Sequence, residues 1–351
     1  MFTKYLTLFI GCVFFFFSYP QCEIIGNEIT PQAQESIARS LKFLSKTQDE
    51  EGFWRCDIGY KLNVSYKVIK ENRPHVGITA LACMAFLANG NLPDRGPYAK
   101  NLARGIEFIL SCAHPATGYI SRYNTRMYSH AFATLFLAEV YGMTQDPKLR
   151  PVLERAIRLI LECQNDQGGW RYEPIAMDAD MSITVCQVQA LRAARNIGIR
   201  VPKKNIDRAI EYIRKSAGPT GGFRYQLMAL SESRTSFSLT AAGITALFNA
   251  GVYDDESIEK GLKYLMYPPR YDPHPPSNHY FFYYGHYYAI QAMYMAGGEY
   301  WSQWYPKIRE QLLQAQYPDG SWEDNVGKTF ATPVATIILQ IPYGYLPIFQ
   351  K

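Results

Sequence analysis

Apolar residues recur along the chain in two alternating helical patterns. In one they return at the 3.6-residue spacing of an amphipathic helix, as at Leu153, Ala156, Ile157 and Ile160, or at Ile206, Ala209, Ile210 and Ile213. Charged residues such as Glu154, Arg155 and Arg158 occupy the opposite side. In the other pattern there is no polar stripe. Gly77–Ala88, Ala131–Ala138, Ser182–Ala194, Thr240–Ala250, His286–Ala296 and Thr332–Leu339 are close to apolar all round. A helix of that kind must be wrapped by other helices. The two patterns alternate through six units, over residues 37–90, 101–142, 152–198, 205–251, 257–298 and 304–349. No strand pattern separates them, so the chain reads as all-α. Inner helices alternating with outer ones predict a closed double ring, six within six. An open array would need polar terminal repeats. Here the chain ends in Ile341-Pro342-Tyr343-Gly344-Tyr345-Leu346-Pro347-Ile348-Phe349, an apolar tail that must bury and is expected to pack back on the first unit.

The turns between helices repeat as well. Gln48-Asp49-Glu50-Glu51-Gly52-Phe53-Trp54 returns as Gln164-Asn165-Asp166-Gln167-Gly168-Gly169-Trp170 and as Gln316-Tyr317-Pro318-Asp319-Gly320-Ser321-Trp322. Ala217-Gly218-Pro219-Thr220-Gly221-Gly222-Phe223 is a worn fourth copy. The chemistry reads as structural. Gln can satisfy backbone groups at the helix end, Gly takes the positive φ beyond it, and Trp plugs the joint between units.

This Gln-x-x-x-Gly-x-Trp repeat resembles the QW motif of the squalene and oxidosqualene cyclases, whose fold is shared with protein prenyltransferase β subunits. The resemblance covers nearly the whole chain and implies a single α/α toroid over residues 27–351. It also implies an isoprenoid ligand in an aromatic-lined bore and, in the class II cyclases, a reaction started by a proton. Those cyclases carry an Asp-x-Asp-Asp segment ahead of an inner helix, whose middle Asp is the acid. Asp178-Ala179-Asp180-Met181 stands at that place in the third unit. The resemblance puts Asp180 at the acid and Asp178 at its first assistant, while Met181 replaces the last Asp.

Protonating an alkene needs a neutral carboxylic acid. Crowding of Asp178 against Asp180, or burial, would favour that state, whereas a helix N-terminus favours the carboxylate. Two readings of Asp180 stand side by side: the acid, and a plain N-cap of the helix that follows. The prenyltransferase zinc site resembles an Asp-x-Cys pair with a distant His. This chain has no Asp-x-Cys, and His286 alone does not make a metal site, so neither metal nor cofactor is expected.

In the fifth unit Tyr280-Phe281-Phe282-Tyr283-Tyr284-Gly285-His286-Tyr287-Tyr288 crowds rings around one helix start. Aligning Gln189 with Gln291 sets Phe282 opposite Asp180 and His286 one turn deeper. Phe282, Tyr283, His286 and Tyr287 are therefore the candidate ligand-binding residues. Their π faces suit a passing cation, and core filling or sugar stacking would use the same rings. A polysaccharide-cleaving toroid would want a basic residue at the mouth, for which Arg171, Arg224 and Arg234 are available. Arg171 and Arg224 share a repeated Trp/Phe-Arg-Tyr phrase, which reads as structural.

Composition adds little to this picture except rings: Tyr 27, Phe 19 and Trp 5, or 15% of 351 residues. Charge is nearly balanced at 36 Lys+Arg against 31 Asp+Glu and scattered, which excludes a nucleic-acid footprint. Residues 1–22, with an apolar run through Leu6–Phe17, read as a signal peptide ending between residues 18 and 26, or alternatively as a membrane anchor. Export to the periplasm or beyond follows, with peripheral membrane contact open to a protein that takes a hydrophobic ligand. Cys56, Cys83, Cys112, Cys163 and Cys186 lie too far apart for a disulfide framework and read as buried thiols. Against the ligand-converting reading stands a non-catalytic toroid that holds a lipid, glycan or protein partner.

Overall fold

The computed structural model describes residues 28–61, 65–227, 235–268 and 281–350. The expected signal peptide and Arg234 lie outside these residues. Among the described residues, twelve α-helices alternate as outer and inner partners. The outer ones are α1 (Pro31–Thr47), α3 (Ala99–Ser111), α5 (Leu149–Glu162), α7 (Lys203–Ser216), α9 (Glu256–Met266) and α11 (Gly298–Ala315). The inner ones are α2 (Val76–Leu87), α4 (Arg126–Thr144), α6 (Met181–Asn196), α8 (Phe237–Ala250), α10 (Phe282–Ala296) and α12 (Lys328–Gln340).

The sequence patterns account for the two layers. α5 buries Leu153, Ala156, Ile157 and Ile160 and leaves its charged face in water, while every residue of α2 is buried. The inner helices pack in chain order, and α12 returns to α2, so the ring is closed. Side-chain amides tie it. Gln187 Nε2 donates to the Met127 carbonyl at 3.0 Å, and Gln340 Nε2 to that of Ala85 at 3.0 Å. Gln189 and Gln291, aligned from the sequence, meet across the bore at 2.6 Å. Cys56, Cys83, Cys112, Cys163 and Cys186 are buried free thiols.

Each copied turn repeats one set of bonds. Trp54, Trp170 and Trp322 donate their indole N–H to the carbonyls of Leu44, Ile160 and Leu312 at 3.0, 2.6 and 2.8 Å. The glutamines reach further than a helix end. Gln48, Gln164 and Gln316 donate both to their own Gly carbonyls and to Asn101, Asn205 and Ser36 in the following outer helix, at 2.9 Å in each of the latter. Gln316 therefore joins the last unit to the first.

Strands do occur. β1 (Arg55–Lys61) and β2 (Tyr66–Pro74) form an antiparallel hairpin between the first turn and α2. Only Cys56 and Ile58 of β1 alternate into the core, and β2 is exposed along most of its length. Too little of the hairpin is buried to leave a period-2 signature.

The apolar tail reaches the first unit, where the Tyr345 ring lies against Gly90, and then goes further. It crosses the floor of the ring at the C-terminal ends of the inner helices. There the Ile348 N–H meets the Glu139 carboxylate at 3.2 Å, and Phe349 lies edge-on to Tyr287 at 6.3 Å. The bore is closed at that end.

Candidate functional site

A cavity of about 680 Å³ occupies the other end, at the first turns of the inner helices. Its wall carries seven tyrosines and three phenylalanines, with Ile58, Ile78, Leu81, Leu239, Val326 and Val334 between them. The hairpin contributes Ile58, Gly59, Tyr60, Lys61 and Tyr66, and so forms part of the rim. Lys61, Arg126 and Arg171 are the charged groups on the wall; no Asp or Glu is among its described residues.

Asp180 stands directly behind this wall. Its backbone is extended, and one carboxylate oxygen caps α6, accepting from the Ile183 N–H at 3.0 Å and the Ser182 hydroxyl at 2.6 Å. The other accepts from the Tyr225 hydroxyl at 3.3 Å and lies 3.9 Å from the Arg171 guanidinium. The residue is 0% exposed, so it meets neither solvent nor the cavity directly. Burial pushes its carboxyl up to about 6, against the pull of Ser182, Ile183, Arg171 and Tyr225. Crowding by Asp178 is not the cause. Asp178 is largely exposed and paired with Arg171, so the two carboxylates share an arginine rather than a proton. Met181 fills the place of the last Asp with a fully buried side chain.

From Asp180 a chain of hydroxyls leads to the cavity. Tyr225 O–H and Tyr172 O–H lie 2.8 Å apart, and both line the wall. The sequence held a signal for them in the repeated Trp170-Arg171-Tyr172 and Phe223-Arg224-Tyr225. The informative residue of that phrase is the tyrosine. Arg224 is turned away, donating to the Lys215 carbonyl.

The aromatic cluster of the fifth unit divides across α10. Tyr287 lines the cavity, together with Phe281 and Tyr284. Phe282, Tyr283 and His286 do not. His286 is buried on the outer side of α10, packed against Phe282, Phe237 and Trp304 at 4.4, 5.1 and 5.7 Å. The helical period explains the split, since positions 284 and 287 share the inward face and 282, 283 and 286 the others. The residue facing the third unit is accordingly Tyr284, whose hydroxyl reaches the Ser182 carbonyl at 3.4 Å, rather than Phe282.

A closed ring of inner and outer helices joined by Gln-Gly-Trp turns is the architecture of an α/α toroid, and the chain belongs to the prenyltransferase alpha-alpha toroid domain family, matched over residues 44–268. Among solved structures, a variant of the type II terpene cyclase MstE from Scytonema, in complex with geranylgeranyl dihydroxybenzoate, is similar at 15% identity. Its TM-score is 0.59, over 90% of this chain and 98% of that one. The apo form of MstE gives 0.57 at 15% identity over 90% and 100%. The GH76A alpha-1,6-mannanase from Salegentibacter gives 0.63 at 8% identity over 89% and 99%. At these identities the likeness is one of fold. No curated relative matches the chain.

Proposed function

We propose that the bore binds an isoprenoid ligand, held by its aromatic wall. The observation that carries this reading is the cavity itself: about 680 Å³, enough for a C15–C20 chain, and lined mainly by rings and aliphatic side chains. The tail closes the far end, so a ligand enters beside the hairpin. The complexes of MstE with its substrate and product agree with such an occupant. The mannanase shares the fold, but glycoside hydrolysis generally needs two carboxylates at the substrate, and the described wall has none.

Asp180 favours a second reading, proton-initiated cyclisation. Its raised pKa supplies a protonated fraction near pH 6, and Tyr225 connects it to the cavity. The proton would have to pass through that hydroxyl, because Asp180 has no surface on the bore. Its donors also stabilise the ionised form, which lowers the protonated fraction available for such a step. Binding is thus the better supported function, with Asp180 holding Tyr225 and the start of α6 in place.

Mass spectrometry of lipids extracted from the purified wild type and the Asp180→Asn variant separates the two. The binding reading expects the same isoprenoid in both, since Asn keeps the cap. A cyclised product in the wild type beside a linear precursor in the variant would establish the acid. Preparations free of isoprenoid, and unable to take up added geranylgeraniol, would overturn both.

A further inference from the structure

The tail that floors the ring is held to it by few polar contacts. Over residues 343–350 the backbone hydrogen bonds within the tail are local: Gly344 N–H to Ile341, Phe349 N–H to Leu346 and Gln350 N–H to Pro347. The Gln350 side-chain amide also turns back on the tail, donating to the Gly344 carbonyl. Among the described residues a single hydrogen bond fastens this stretch to the ring, from the Ile348 N–H to Glu139 Oε2 at 3.2 Å. The rest of the hold is apolar, through the buried side chains of Leu346, Ile348 and Phe349.

Glu139 sits where a change in its charge would be felt. It follows Phe132 by about two turns on the same face of α4, and Phe132 lines the cavity, so Glu139 lies on the bore side below it. The residue is buried, and no basic side chain among the described residues pairs with it. Tyr287 of α10 is the titratable group that faces it, and burial pushes that hydroxyl far up, so it stays neutral. No charged side chain of α2, α6, α10, α12 or the described tail shifts Glu139. Burial raises its carboxyl to about 7, with the Ile348 N–H pulling the other way. Once the tail lifts and water reaches it, the same carboxyl titrates near its ordinary 4.5.

We propose that the tail is a proton-operated gate on the floor of the bore, latched while Glu139 is protonated and loosened when it ionises. A lifted tail takes Phe349 from beneath Tyr287, which lines the cavity, and exposes the bore at the end opposite the mouth. A carboxyl that titrates higher in the closed form than in the open one favours opening as pH rises. From the two values above, the balance moves toward the open form by about thirtyfold between pH 5.5 and 8.5. Burial of Leu346, Ile348 and Phe349 still favours closure, so pH biases the gate rather than throwing it open. The device does not depend on what the bore binds.

Hydrogen exchange of the full chain tests the gate, read as protection factors so that the intrinsic pH dependence of exchange drops out. Between pH 5.5 and 8.5, peptides covering residues 343–350 are expected to lose protection by about thirtyfold, while peptides from α4, α6 and α10 keep theirs. Glu139→Gln keeps an acceptor for the Ile348 N–H and cannot ionise, so it should hold the protection of the tail constant over that range. Unchanged tail protection in the wild type overturns the gate, and that measurement needs no variant to fold. A loss shared equally by the inner helices overturns it too, since the whole ring rather than the tail would then be opening. An equal fall in Glu139→Gln assigns the effect to another group and removes Glu139 as the latch.

Discussion

At the scale of single residues, Asp180 gives its two carboxylate oxygens different partners. Its first oxygen is an N-cap and its second faces Tyr225 and Arg171. The cap was legible because an Asp directly before an apolar helix has few better uses. The second role was not, since Tyr225 lies 45 residues away and meets Asp180 only across a joint between units. Replacing the carboxylate separates the two roles. Asp180→Ala should cost about 1–2 kcal/mol of unfolding free energy, while Asp180→Asn should cost a few tenths, as expected for a cap. Denaturant melts of both variants check this, and an equally large loss in Asn would show that the charge, not the cap, carries the stability.

At the scale of elements, the copied turns are the joints of the ring. Each Trp seals its own unit, whereas each Gln fastens its turn to the next outer helix. The first of these follows from the amphipathic nature of Trp, but the second needs the neighbour in place. Gly168 shows the closeness of the joint, with φ of 96° and a Cβ position only 2.1 Å from the Arg208 carbonyl oxygen. Gln316 is the copy that closes the ring. Gln316→Ala removes its bonds to Ser36 and Gly320 and should destabilise the protein by about 1–3 kcal/mol. Hydrogen exchange should rise in α1 and α11 together if the joint acts as described; a rise confined to the turn would contradict it.

At the scale of the whole molecule, the tail turns an open ring into a cup. Its seal includes Glu139, a buried carboxylate whose hydrogen-bond donor is the Ile348 N–H. Burial pushes this group up from 4.5 to about 7. Between those values the folded chain holds a proton that the unfolded chain has released, so stability falls as pH rises through this window, by roughly 3 kcal/mol in all. Glu139→Gln should therefore melt higher than wild type at pH 8 and coincide with it near pH 4. His75 and His130, both depressed to about 4 by burial, slope the other way. Comparing variant with wild type at each pH cancels their contribution. A constant gap across the range would mean that Glu139 does not titrate as its burial requires.

Helical periodicity and the repeated turns were enough to reach the double ring, its helix pairs and the position of Asp180. Those features are local: a stripe of apolar residues, a Gly that needs positive φ, and a cap are each written within a few neighbouring positions. What faces the bore was decided by the tertiary structure. Tyr284 and Tyr287 point in while Phe282, Tyr283 and His286 do not, because the rotation of α10 is set by α8, α11 and α12 packed around it. The hairpin and the floor made by the tail depend on contacts between residues far apart in the chain. No spacing along the sequence records such contacts.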